Sequence, residues 1–275
     1  MRIKAHKLMG GRGQGPAMVS TNTISFLGGI GSTTGEVLDP NSNLSGANVS
    51  GHVLVFPGGK GSTVGSYVLY SLARRGRAPA AMIVEKPDTI VTVGAVIGSV
   101  PTVYGIPPDA IVNGEWIEVD GDKGTIRVRD IIAREVVTCF LRNRGEVLIL
   151  KRSKRVGTFK GAWAGVSGFV EGHDVPLESA IKEIEEETAI KEAKLISTGQ
   201  PIYAREGSHL FVVHSFLFDV DTRRVKLDWE HTDYRWIDPA QIKKCSTVPK
   251  LFEAYVSAIN GRPTRHRVSS KGKKR

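Results

Sequence analysis

The run GFVEGHDVPLESAIKEIEEETAI, Gly168–Ile190, confines its part of the chain to one local structure, a glycine-led loop that opens an amphipathic helix. From Pro176 onward, Leu177, Ala180, Ile181, Ile184 and Thr188 recur at steps of three and four, which gives an apolar stripe able to pack on a sheet. Glu183, Glu186 and Glu187 share a neighbouring face. Carboxylates that close repel by roughly 1 kcal/mol per pair in water and ~4 kcal/mol at a protein surface. A hard, oxygen-seeking divalent cation, Mg²⁺ or Mn²⁺, relieves that repulsion. Glutamates at such spacing usually form a solvated face, and Glu178, Lys182 and Glu185 read that way by position. The preceding loop tips the balance towards a site, because Gly168, Glu171, Gly172 and Asp174 can bring backbone and carboxylate groups to the same point.

The stretch resembles the Nudix box, G-x5-E-x7-R-E-U-x-E-E-x-G-U, of hydrolases that cleave diphosphates linked to another group. Position by position, the resemblance makes Gly168 the opening residue and Glu183, Glu186 and Glu187 the metal ligands, with Glu186 or Glu187 as the base. Lys182 stands where the family has an arginine that braces the glutamates, Asp174 replaces the loop glutamate, and Ala189 replaces the last glycine. Lysine keeps the charge without the planar fork. Alanine costs little unless its φ must be positive. Val136–Asn143, Glu146–Ser153 and His209–Val220 read as strands, with a turn at Arg144-Gly145. Lys154–Glu171 and Trp229–Pro239 also resemble archaeal-type Nudix proteins. A Nudix α/β/α sandwich with a mixed sheet is therefore expected over 134–261.

The first half has another texture. Glycine is dense up to Gly124, and the only long amphipathic helix expected lies near Gly65–Arg75. Gly51–Phe56, Ala80–Glu85 and Thr89–Ile97 read as apolar, β-branched strands, and Gly114–Val128 as a hairpin turning at Asp120–Gly124. In PGGKGSTVGSYVLYSLA, Pro57–Ala73, a buried strand ends in a glycine-rich loop before a helix, a geometry that aims backbone N–H groups at an anion. It is no P-loop, because Lys60 precedes Gly61 and nothing upstream has the required spacing. By itself Ser62 reads as a cap.

The order Ser25–Val37, Val53–Leu72, Ala78–Val103 and Gly114–Val128 resembles the swivelling domain of the aconitase X family, a β/β/α fold expected over 1–132. The resemblance implies a dehydratase small subunit, of the phosphomevalonate dehydratase type in archaea, that acts with a large subunit carrying a 4Fe–4S cluster. It makes Ser62 the residue that, as an alkoxide, accepts a proton next to the leaving hydroxyl. Gly58, Gly59, Lys60, Gly61 and Thr63 then bind substrate oxygens. Gly31-Ser32 departs from the aspartate-proline pair expected there.

Only Cys139 and Cys245 occur, both in the second half, whereas a cluster takes about three or four thiolates. The iron must come from a partner subunit. Two cysteines, no signal peptide and no apolar run of membrane length indicate a cytoplasmic protein with no membrane contact. The net charge is +10, but the last fourteen residues hold seven lysines and arginines, leaving +3 on the rest. The basicity belongs to a tail, 262–275, read as disordered, and does not argue for nucleic acid beyond nonspecific contacts.

Two functions compete for the whole chain. One is a dehydratase small subunit, acting on phosphomevalonate or another hydroxy acid, fused to a working Mg²⁺-dependent phosphohydrolase with phosphorylated small-molecule substrates. The other keeps the dehydratase half and makes the altered box a sensor of a nucleotide or isoprenoid diphosphate. An isopentenyl diphosphate isomerase ranks lower, because no cysteine lies near Gly165–Gly168.

Overall fold

A computed structural model describes residues 2–172 and 174–263. They form two compact units, one of the described residues up to Ala133 together with Arg205–Leu210, the other of Arg134–Ala204 and the described residues from Phe211 onward.

The first unit is built on one eight-stranded sheet. In chain order its elements are β1 (Ile3–Lys4), β2 (His6–Met9), β3 (Arg12–Val19), a single turn α1 (Phe26–Gly29), β4 (Val53–Phe56), α2 (Ser66–Arg74), β5 (Ala81–Val84), α3 (Thr89–Gly98), β6 (Thr102–Tyr104), β7 (Trp116–Asp120) and β8 (Thr125–Val128). The strand order is β1-β8-β7-β3-β4-β5-β6-β2. Strands β3 to β6 run parallel, flanked by antiparallel partners. VLVF and AMIV are buried at every position, as central parallel strands are when both faces are covered. Leu69 and Leu72 of α2 and Val91 and Ala95 of α3 close one face over Leu54, Phe56, Met82 and Val84.

Thr89–Ile97 is a helix, not the strand its β-branched composition suggests. Asp88 overrides propensity by capping it, its carboxylate accepting from the N–H groups of Ile90 and Val91. Gly94 then lets α3 press on α2, since a Cβ there would lie 2.5 Å from Leu69 Cδ1. The remaining strand and hairpin expectations of this half hold to within two residues at each end.

The second unit is built on β9 (Ile132–Asn143), β10 (Glu146–Arg152), β11 (Trp163–Ala164), β12 (Val166–Phe169), α4 (Pro176–Thr188), β13 (Lys194–Thr198), β14 (Ile202–Glu206), β15 (His209–Asp219), β16 (His231–Ile237), α5 (Leu251–Ile259) and β17 (Arg262–Pro263), apart from the end residues of β9, β14 and β15 that fall in the first unit. The main strand order is β11-β10-β9-β15-β13-β17, with β12 beside β9, β14 beside β15 and β16 beside β10. Side chains alternate strictly. Val137, Cys139, Leu141, Leu148 and Leu150 pack towards α4, while Phe140, Val147 and Ile149 pack towards α5. The sheet is thus covered by helix on both faces. Arg144 and Gly145, at φ 51° and 86°, form the β9–β10 turn.

Arg262 and Pro263 do not belong to a tail but pair with Thr198 and Ser197. The rest of that tail, 264–275, lies outside the described residues. No helix among the described residues is long and apolar enough to cross a membrane.

Candidate functional site

Gly168 sits on β12, paired with Val137 of β9, directly under α4. The absence of a side chain is what admits the helix: a Cβ at Gly168 would lie 1.9 Å from Glu183 Oε1 and 2.6 Å from its Cγ. Ala180, Ile184 and Thr188 bury the apolar stripe, and Leu177 and Ile181 lie half-buried against the same core. This seating fixes where the three glutamates go. Glu187 is only 3% exposed, with Oε2 accepting the Ser167 N–H at 3.1 Å. Glu183 is half-buried, and Glu186 is exposed and drawn to Lys182 Nζ, 3.8 Å away. The lysine that replaces the bracing arginine therefore reaches one glutamate, consistent with its point charge.

The electrostatics are those of an undercompensated anionic cluster. Burial, then the charge of Glu186, pushes Glu183 up to about 7, with Glu230 and Asp228 adding to the shift and Lys182 opposing it. Burial pushes Glu187 well up, against the Ser167 hydrogen bond, and Glu183, Asp228 and Glu230 push it further. The Cys139 thiol is raised by burial and by the same two glutamates, so it is inert core rather than nucleophile. Oxygen-only donors held close against their own repulsion suit a hard divalent cation. Among the described residues, however, no three His, Cys, Asp or Glu side chains converge on one point as they stand. Glu186 would have to leave Lys182 to complete a coordination shell.

Glu171 and Asp174, both exposed, line the same cavity of about 340 Å³ as Gly168, Lys182, Glu183 and Glu186. The structure adds Glu230, Arg152, Phe159, Phe211 and Lys250 to its walls, none of them singled out from the sequence. The cluster of acids in DWEHTDY was the available signal for Glu230 and Asp228. His231 of that motif is buried, with Nδ1 2.9 Å from Asp228 Oδ1 and Nε2 4.0 Å from Glu187 Oε2. It sits behind Glu187 as a structural residue, with no hydrogen-bond partner for Nε2.

In the first unit, Ser62 is exposed and begins a short 3-10 turn, Thr63–Gly65, that leads into α2. Its Oγ accepts the Val64 N–H at 3.3 Å, the capping role. Gly61, at φ 99°, supplies the turn that presents it. The loop is held from two sides. The Lys60 N–H donates to Ile24 O at 2.9 Å, and the Gly59 N–H donates to the carboxylate of Asp88. Those two N–H groups are thus committed to the framework rather than to an anion. Asp88 was missed in the sequence, although a Pro-Asp pair before an apolar run is a helix-start signal.

Two α/β domains, one organised around a serine-bearing glycine loop and one around a glutamate helix, agree with the comparisons. Residues 2–128 match the family described as the aconitase X swivel domain, and residues 133–255 match the NUDIX domain. Through its first half the chain belongs to the aconitase X swivel family, and its second half matches the NUDIX domain. Its relatives include the phosphomevalonate dehydratase small subunit of Thermococcus sibiricus, 48% identical over 130 residues, which are 47% of this chain and all of that protein. Among solved structures, aconitase X of Thermococcus kodakaraensis in its holo-form is 42% identical over 46% of this chain and 98% of that one, at a TM-score of 0.46. A MutT protein from Methanosarcina mazei is 25% identical over 46% of this chain and 91% of that one, at a TM-score of 0.39.

Proposed function

We propose that residues 1–132 act as the small subunit of a phosphomevalonate dehydratase and that residues 134–261 form a Nudix diphosphate hydrolase in the same cytoplasmic chain. The observation that carries the first part is that this half covers the whole length of small subunits at 48% identity. Ser62 stands exposed at the mouth of its loop, available to accept a proton once a partner encloses it. A serine hydroxyl is a weak base and needs positive charge or oriented dipoles around it, which a large subunit would complete. An apolar surface flanks the loop to receive that subunit: Val64, Tyr67 and Tyr70 on one side and Val93, Val96 and Ile97 of α3 on the other are 38–64% exposed. The 4Fe–4S cluster does not fit this chain, whose two cysteines, Cys139 and Cys245, both lie in the other half.

In the second half, Glu183, Glu186 and Glu187 would hold Mg²⁺ or Mn²⁺, which supplies neutralisation of the diphosphate and acidification of water. The chain's own residues do the rest. Gly168 gives Glu183 its place, Ser167 orients Glu187 through its N–H, and Glu171, Asp174 and Glu230 border the cavity from the loops. Glu186 or Glu187 takes the proton from the attacking water. Lys182, which now holds Glu186 at 3.8 Å, would have to give it up for Glu186 to serve as a metal ligand.

The test has two arms. Co-purification from native extract should recover a cluster-bearing large subunit, and the complex should lose dehydration with Ser62→Ala. No such subunit, or an active Ser62→Ala complex, ends the dehydratase assignment. With Mg²⁺, the purified chain should cleave members of a diphosphate panel, and Glu186→Gln should abolish cleavage. Absence of turnover across the panel favours the sensor function, which the Lys182–Glu186 pair supports.

A further inference from the structure

The cavity of the second unit has two chemically opposite ends. One is the carboxylate cluster already described. The other is hydrocarbon, assembled from three separate elements by their own periodicities. Phe211 and Val213 project from alternate positions of β15, Leu251 and Ala254 share one face of α5, and Phe159 and Val248 come from loops. Phe159 and Phe211 meet edge to face, ring centroids 6.2 Å apart. Phe159 holds its ring there from a backbone at φ 52°, a left-handed conformation that a non-glycine residue keeps only when its surroundings over-determine it.

What this end lacks decides its ligand. Among the described residues, the cavity walls contain no Asn, Gln, His, Tyr or Trp, the side chains that would read the edge of a nucleobase or stack a sugar. Thr138, Thr158, Ser167 and Ser179 supply hydroxyls, and the acids belong to the other end. A base placed here would bury ring nitrogens and carbonyls with few partners, at a cost of roughly 1–3 kcal/mol for each group left unsatisfied. A hydrocarbon chain loses nothing, and each buried methylene adds about fourfold in affinity. The volume, about 340 Å³, is near the small end of the range of roughly 300–1,000 Å³ for ligand pockets and suits one short chain with its phosphates. Arg152 and Lys250 stand on the same walls as cations for the diphosphate.

Resting on the reading that this pocket takes a diphosphate, we propose that the group attached to it is an apolar hydrocarbon, so that the ligand is an alkyl or prenyl diphosphate rather than a nucleotide. The test is calorimetric titration of the full chain, with Ca²⁺ in place of Mg²⁺ to limit turnover, using inorganic diphosphate, ADP, dimethylallyl diphosphate and geranyl diphosphate. Affinity should rise from inorganic diphosphate to dimethylallyl to geranyl diphosphate, the last at least tenfold tighter than ADP. Phe211→Ser, and separately Phe159→Ser in its loop, should each lower geranyl diphosphate affinity about tenfold or more. Both should bind inorganic diphosphate as the parent does, which shows the fold intact. ADP binding as tightly as the prenyl ligands, or the serine variants leaving the ranking unchanged, overturns the proposal. Inorganic diphosphate binding with no gain from the chain overturns it while leaving the diphosphate reading standing. No binding of inorganic diphosphate overturns both.

Discussion

Replacing Gly168 by alanine puts one methyl group where the Glu183 side chain now lies, and the structure says how much must give. The new Cβ would stand 1.9 Å from Oε1, 2.1 Å from Cδ and 2.6 Å from Cγ of Glu183, so a small adjustment of the carboxylate end is not enough. The backbone is fixed on one side by pairing with Val137 and on the other by the buried stripe of α4, so Glu183 must leave its rotamer. That costs roughly 0.5–1.5 kcal/mol, partly returned because the displaced carboxylate moves away from Glu186, Glu230 and Asp228. Thermal unfolding should shift down by only about 4 °C, the shift that ~1 kcal/mol produces in a domain of this size. The effect on cation binding should be far larger, about 10–100-fold weaker for Mn²⁺ by calorimetry, as when a group that orients a metal ligand is disturbed. The decisive measurement is a double-mutant cycle. In a Glu183→Ala background the obstacle is gone, so Gly168→Ala should cost almost nothing further in stability or in Mn²⁺ affinity. Equal losses in both backgrounds would refute the reasoning, because the glycine would then be serving the β12 backbone and not the glutamate.

Two further outcomes follow from backbone and charge. Ala189 ends α4 at φ 58°, with its N–H on Glu185 O, so Ala189→Gly should stabilise the second unit. Relief of left-handed strain of about 1–2 kcal/mol, less the unfolded-state entropy of glycine of about 0.4–1 kcal/mol, leaves a gain of roughly 0.5–1 kcal/mol in urea unfolding; a loss would show the strain to be absent. Asp120 is held below the usual carboxylate range first by the Lys123 N–H; burial, the next largest effect, opposes this, and the charges of Arg12 and Lys123 and the hydrogen bond from Arg2 lower it further. A depressed carboxyl contributes stability above its unfolded value of 3.8 and loses it as pH falls through the lower folded value. Asp120→Asn should therefore be less stable than the parent at pH 6–7, with the gap closing below about pH 4. A gap that persists unchanged at pH 3 contradicts the assignment.

The readability of this chain followed the range of the forces involved. Helix α4 and strands β9, β10 and β15 were legible because their periodicity and their burial point the same way. Helix α3 was not, because Thr89–Ile97 carries strand-like residues and the deciding contacts are one cap from Asp88 and one close approach at Gly94. The carboxylates of the box could be named in advance from their spacing. Glu230 had only the run of acids in DWEHTDY to mark it, and its place at the cavity, more than forty residues from the box, is set by the loop before β16. The apolar end was hidden for the same reason, Phe159 and Phe211 being neighbours only once β15 is in the sheet. The positive φ of Ala189 had been a conditional in the sequence and is now a fact of the helix end.

Asp88 divides its two oxygens between two tasks, Oδ1 on the first N–H groups of α3 and Oδ2 on the N–H of Gly59. One carboxylate thereby turns the start of a helix and the middle of a loop into a single lever. A protein that grips the outward side chains of α3 would aim Ser62 without touching it, and a partner seated out of register would misdirect the serine by the same linkage. On the proposed dehydratase function, assembly and alignment of Ser62 would be one event, coupled through Asp88.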